Sequence, residues 1–135
     1  MSTQLRYPLG THHADEIRTA TGKPLTELTF DNVTSGKVSA DDLRIAPETL
    51  EKQAVIAEQA GRPQLAENFR RAAELTAVPD ARILEIYNAL RPGASRYEQL
   101  VAIADELESK FSAKRNAALV RDAAEVYRRR NCLAE

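Results

Sequence analysis

His12-His13, followed by Asp15 and Glu16, is the one stretch of this 135-residue sequence that looks like a set of metal ligands. A metal site needs three or four donors converging on one ion. Adjacent side chains in a strand or loop point to opposite sides, so the two histidines make a poor joint ligand. No second cluster completes the set, and HExxH, CxxC and HxH spacings are absent. A surface or partner-facing role suits these residues better than a metal site.

The other reactive groups read the same way. Cys132, the single cysteine, follows Arg128-Arg129-Arg130, and arginines lower a thiol pKa. A nucleophile also needs a base and an oxyanion site, and a frayed chain end holds neither in place. The thiol therefore reads as inert. Asp41-Asp42 and Asp105-Glu106-Glu108 supply neighbouring carboxylates. Acid/base work requires two carboxyls at fixed separation in a cleft, one with a raised pKa. These fall on predicted polar faces and read as solvated charge. Arg70-Arg71 and Arg128 to Arg130 are basic runs in a chain of 19 basic and 20 acidic residues with no Trp. Nucleic-acid binding favours a basic domain with interleaved aromatics. Arg128 to Arg130 are accounted for by complementing a helix C-terminus. No glycine-rich phosphate loop is present. The reading assigns no catalytic, cofactor-binding or metal-binding residue to this chain.

The elements that hold these groups are helical. Alanine supplies 22 residues, whereas Leu, Ile, Val and Phe together supply 30. Alanine favours helix but buries little area, so the core is light. A light core gains stability by docking on a partner. The length suits one domain. No apolar run is long enough to span a membrane, no secretory leader is visible, and one cysteine excludes an intrachain disulfide and fits a reducing cytosol.

The expected fold is all-α: four to five main helices over residues 47–135, preceded by an N-terminal arm, residues 1–46, with one or two short helices, the whole forming one structural unit. In the arm, Thr26 to Ser35 is the expected helix, stopped by Gly36, and Ser39-Ala40-Asp41-Asp42 offers a capping-type start for a second turn. The first main helix opens at Pro47, buries Leu50, Ala54 and Ala57, and ends at Gly61. A second opens at Pro63 with Leu65, Phe69, Ala72, Ala73 and Thr76 on one side. A third opens at Pro79-Asp80 and stops at Pro92-Gly93; Ile83, Leu84, Ile86, Tyr87 and Leu90 form a broad arc. A capping box at Ser95-Arg96-Tyr97-Glu98 opens a fourth, with a stripe of Leu100, Ile103, Ala104, Leu107 and Phe111. A shift of the stripe predicts a break near Ser112. The last helix uses Ala117, Val120, Ala124 and Tyr127, with Leu119, Ala123 and Val126 beside them. The wide arcs of the third and last helices predict two buried contacts each, one of them outside the chain.

The stretch Arg70 to Pro92, RRAAELTAVPDARILEIYNALRP, resembles the small (gamma) subunit of adenosylcobalamin-dependent diol and glycerol dehydratases. The likeness includes Tyr7-Pro8-Leu9, Thr21-Gly22-Lys23-Pro24-Leu25, Arg44-Ile45-Ala46-Pro47-Glu48-Thr49-Leu50 and Ile103-Ala104-Asp105-Glu106-Leu107-Glu108, and covers nearly the whole chain from Tyr7. The resemblance implies a heterohexamer of two alpha-beta-gamma sets. It converts 1,2-propanediol, glycerol or 1,2-ethanediol to the aldehyde and water by a radical route. The large subunit, a TIM barrel, would carry substrate and metal ions, and adenosylcobalamin would lie between the large and medium subunits. The small subunit would pack on the large one and stabilise it, with no catalytic or cofactor residue of its own. Nucleic acid and membrane are not expected partners. Two departures stand out. Only six residues precede the Tyr-Pro-Leu motif, which favours free cytosol over a bacterial microcompartment, and Gly93-Ala94 follow the Arg-Pro pair where several members have bulky or charged residues. A stand-alone helical adaptor is the alternative reading, and a small enzyme using His12, His13 or the carboxylates is a third.

Overall fold

The structure, a computed structural model, describes residues 4–135. Its α-helices are α1 (Leu9–His12), α2 (Phe30–Thr34), α3 (Pro47–Gln59), α4 (Pro63–Leu75), α5 (Asp80–Ala89), α6 (Tyr97–Phe111) and α7 (Lys114–Arg129). No strand occurs among the described residues beyond one isolated bridge between Arg18 and Pro24. The expected all-α class holds. The chain divides into two compact units, one ending at Ala73 and the other running Glu74–Glu135.

In the first unit short turns precede two long helices. The backbone folds back between Ile17 and Leu25: the Leu25 N–H donates to the Ile17 carbonyl (3.3 Å) and the Thr19 N–H to the Lys23 carbonyl (2.8 Å). Gly22 sits at the tip with φ +92°, which a side chain would strain. The helix expected over Thr26 to Ser35 is shorter. Leu25–Glu27 form a 3₁₀ turn, and α2 begins only after Thr29, whose hydroxyl accepts the Asn32 N–H. A threonine that caps cannot also continue a helix, so the segment breaks there. The second expected turn is present as a 3₁₀ helix at Ala40–Leu43.

Pro47 takes the first turn of α3, where its missing N–H costs nothing. Gly61 (φ +71°) ends the helix, and the Arg62 N–H closes onto the Ala57 carbonyl (2.8 Å). Leu50, Ala54 and Ala57 are buried as their spacing predicts. On α4 the buried residues are Ala66 and Ala73, whereas Leu65, Ala72 and Thr76 are exposed. The buried face is therefore rotated from the one expected. Ala54, Ala57 and Ala66 form one small cluster with Phe69 on its flank. Small side chains let two helices approach closely. Beside them the half-buried Arg70 pairs with Glu58 (2.5 Å) and Glu51 (3.7 Å). A face of larger residues would hold α4 further from α3 and break these pairs.

The second unit has the larger core. Val78, Ile86, Leu100, Ile103, Ala104, Leu107, Ala113, Ala117, Val120 and Ala124 are buried together. Leu100 and Leu107 are wholly enclosed, each contributing roughly 2–3 kcal/mol by burial. The predicted break is at Ser112, which adopts the left-handed conformation (φ +55°) while the Ala113 N–H closes onto the Leu107 carbonyl (2.8 Å). α6 and α7 form an antiparallel hairpin, with Tyr97 at the start of α6 donating to Glu125 near the end of α7 (2.5 Å). Arg121 of α7 bridges Asp105 and Glu108 of α6, both at 2.7 Å.

The capping box opening α6 is displaced by one residue. Arg96 is the N-cap, and its N–H donates to Gln99 (2.8 Å). Ser95 is instead buried, and its hydroxyl donates to the Ala89 carbonyl (2.8 Å), tying down the end of α5. The broad arc of α5 splits. Ile86 is buried and Ile83 and Leu90 pack on the core, while Leu84 and Tyr87 are 63% and 69% exposed. Leu119 of α7 is likewise exposed.

Candidate functional site

The residues singled out for chemistry do not converge: His13, Glu16, Asp42, Asp105, Glu106 and Glu108 are taken up by structural bonds, while His12 and Asp15 stand exposed. No group of three or more His, Cys, Asp or Glu among the described residues is placed to hold a metal ion. His12 is exposed, but His13 is buried, a correction to the surface role expected of both. The Arg6 N–H donates to His13 Nε2 (3.0 Å). Nε2 is thus the acceptor, and Nδ1 carries the proton it shares with Glu16 (2.9 Å). Glu16 also pairs with Lys52 of α3 (3.1 Å). His13, then Lys52, hold the Glu16 carboxyl below the usual range. A histidine with both nitrogens spent is a structural pin joining the first turn to α3.

Asp42 is the second correction. It is not solvated but 3% exposed. Its carboxylate accepts from Lys23 Nζ (2.8 Å), the Thr21 hydroxyl, and the Ser39 N–H (2.7 Å) and hydroxyl (3.2 Å). Lys23 first, then Thr21 and Ser39, hold its pKa far below the ordinary aspartate value. Lys23 also donates to the Lys37 carbonyl (2.5 Å). One carboxylate thereby joins the Ile17–Leu25 turn to the Ala40–Leu43 turn. A carboxyl pinned as the anion is a poor general acid. The sequence signal was half visible: Ser39-x-x-Asp42 marked the turn, but nothing marked Lys23 as its partner.

In the second unit, Asp105 and Glu108 pair with Arg121, and Glu106 with Arg82 of α5 (2.5 Å). Arg82 lowers the Glu106 carboxyl and is itself raised, chiefly by Glu106. These carboxylates hold helices together. Glu74 completes the set. α7 lacks a side-chain cap of its own, and Glu74 accepts from the Arg115 N–H (3.0 Å), the Asn116 N–H (3.0 Å) and the Asn116 side-chain amide (2.7 Å). Sequence reading missed this because the acceptor lies about forty residues away from the helix start. Arg128 lies over the Tyr97 ring (5.2 Å) and pairs with Glu125 (2.6 Å).

The C-terminus is not frayed. The Cys132 N–H donates to the Tyr127 carbonyl (2.9 Å), the Gly93 N–H to the Cys132 carbonyl (2.7 Å), and the Ala134 N–H to the Ser95 carbonyl (2.9 Å). Among the described residues the half-buried Cys132 thiol bonds only to the Arg130 carbonyl (3.5 Å).

Two concave surfaces lie in the first unit. A groove of about 380 Å³ is lined by Ile17, Arg18, Leu25, Leu28, Ile45 and Leu50, among others. A larger one, about 520 Å³, is lined by Tyr7, Leu9, Ile56, Ala57, Leu65 and Phe69, among others. Both are mainly apolar, with arginine at the rim. No helix among the described residues is long and apolar enough to cross a membrane.

These features define an all-α chain whose buried polar groups serve its own architecture and which presents apolar surface outward. The model of the dehydratase small subunit family matches residues 2–134, and the chain belongs to that family. It is 60% identical over 121 residues to the propanediol dehydratase small subunit of Salmonella typhimurium, a match covering 90% of this chain and 70% of that protein. The propanediol dehydratase small subunit of Citrobacter freundii matches with the same identity and coverage.

Proposed function

We propose that this chain is the small, non-catalytic subunit of an adenosylcobalamin-dependent dehydratase that converts 1,2-propanediol, glycerol or 1,2-ethanediol to the corresponding aldehyde and water. The observation that carries the reading is the 60% identity, across 90% of the chain, to small subunits of propanediol dehydratase. In this reading the chain packs on the large subunit and stabilises it, within a heterohexamer of two alpha-beta-gamma sets. Cobalamin and substrate are held by the large and medium subunits.

The residues of this chain support leaving the chemistry to its partners. His13, the better positioned of two histidines, spends both ring nitrogens on Arg6 and Glu16 and offers no lone pair to cobalt. Asp42, the most buried carboxylate among the described residues, is engaged by Lys23, Thr21 and Ser39. What this chain supplies is surface. Leu43, Ile45, Phe30 and Tyr7 in the first unit and Leu84 and Tyr87 in the second are exposed, an arrangement that loses free energy in water and gains it under a partner.

Co-expression tests this directly. Large and medium subunits produced with this chain should yield a stable complex that dehydrates 1,2-propanediol when adenosylcobalamin is added. Produced without it, the large subunit should lose most of its soluble yield. Equal yield and activity in both preparations would sink the stabilising role. Alone, the chain should aggregate or melt early; a monodisperse, cooperatively folding monomer without affinity for the large subunit would favour the adaptor reading instead.

A further inference from the structure

The segment joining the Ala40–Leu43 turn to α3 combines three features in one place. Leu43 and Ile45 are 64% and 65% exposed, two residues apart on either side of an extended Arg44 (φ −65°, ψ 152°), so both aliphatic side chains stand free of the fold. Beside them opens the 380 Å³ groove, with Ile17, Leu25, Leu28 and Leu50 in its lining. Ile45 has no hydrogen bond on its N–H or its carbonyl among the described residues. Ile45 thus lies between two extended residues, Arg44 and Ala46 (φ −83°, ψ 128°), with both its backbone groups open, which is what an extended segment pairs with when it adds along an edge.

The charge around the groove selects the visitor. Arg18 and Arg44 line it. Arg18 forms no ion pair among the described residues, and Arg44 is held only by a long contact to the exposed Asp41 (3.3 Å). The one carboxylate in the lining, Asp42, is already neutralised by Lys23. The groove is therefore apolar within and positive at the edge. The α5 face with Leu84 and Tyr87 is helical and offers no extended backbone beside its apolar side chains, so it specifies less.

We infer that this groove receives an extended segment of the dehydratase large subunit, with an apolar side chain seated between Leu43, Ile45 and Leu28 and a neighbouring carboxylate on Arg18. The inference rests on the proposed subunit role and adds to it the surface and the chemistry of the contact. Backbone pairing at Ile45 would fix the direction of the segment, the groove would select an apolar residue, and Arg18 would select an acidic neighbour.

The test uses the co-expressed complex, with the small subunit carrying the affinity tag. Ile45→Asp and Arg18→Glu should each lower recovery of the large subunit at least tenfold, whereas Tyr87→Asp should lower it less. Because a variant can fail by misfolding, a photo-crosslinking residue, p-benzoylphenylalanine, is placed at position 45 in a second preparation. Illumination should join it to a large-subunit peptide containing an acidic residue. Wild-type recovery with both Ile45→Asp and Arg18→Glu, or a crosslink only to the small subunit itself, overturns the assignment while leaving the subunit role standing. Failure of the wild-type chain to recover any large subunit overturns both.

Discussion

The two units solve the same shortage of apolar residues differently. Residues 74–135 bury ten apolar side chains together, including the fully enclosed Leu100 and Leu107. The first unit clusters Ala54, Ala57 and Ala66, buries Leu9, Val38 and Leu50 outside that cluster, and supplements them with polar pins: Asp42 joining two turns, and His13 with Glu16 joining a third turn to α3. A hydrophobic core tolerates changes of pH, because nothing in it titrates. A pinned fold depends on the charge state of a few groups. A light sequence can still fold its described residues, provided the region with the smaller core spends its charged residues internally.

Truncating a core leucine should therefore be the most damaging change. Leu107→Ala should destabilise the second unit by about 2–5 kcal/mol through lost burial and the cavity left behind. Urea denaturation with hydrogen exchange resolved along the chain would locate the loss in residues 74–135; a loss shared equally by both units would erase the distinction.

Acid should separate the units next. Asp42 has a folded pKa below its unfolded one, so the stability it contributes is complete above the ordinary aspartate value. It begins to go as pH falls through about 4 and continues to be lost toward the lower folded value. The first unit should therefore loosen before the second on acidification, seen as earlier loss of exchange protection at Thr19 and Lys23. Asp42→Asn should loosen the same turns at neutral pH and remove most of the acid step. An acid step unchanged in that variant would mean another group carries it.

Smaller effects follow from the caps and the surface. Glu74→Ala strips the acceptor from two backbone N–H groups at the start of α7 and should cost about 1–2 kcal/mol, with Glu74→Gln in between. Loss confined to the first α7 turn would agree; no loss would show that water replaces the cap. Tyr87→Ser, at an exposed position, should change stability of the free chain by less than about 0.5 kcal/mol. A larger loss would show that Tyr87 packs more firmly than its exposure indicates.

The helices themselves were legible in the sequence because their signals are local. Pro47, Gly61, Pro63 and the Pro79-Asp80 pair act within one or two residues of a helix end, and the stripe Leu100, Ile103, Ala104, Leu107 follows from a 3.6-residue repeat. The break at Ser112 was legible for the same reason, since a stripe cannot shift its face without a turn. The family could be read from the long ordered match through Arg70 to Pro92.

Tertiary structure decided which polar groups disappear inside. Asp42 meets Lys23 nineteen residues away, Tyr97 meets Glu125 twenty-eight away, and Asn116 meets Glu74 forty-two away. Nothing periodic links such positions, so Asp42, which looked solvated, proved to be a buried pin, while Asp41 and Asp105 stay exposed, and a histidine that looked like surface proved buried. The same holds for the face of α4: propensity and spacing allow several, and only the close approach of Ala66 to Ala54 and Ala57, with Arg70 set between two glutamates, selects one. Local interactions among residues three or four apart are written into the order of the chain. Pairings across turns depend on where those helices come to rest.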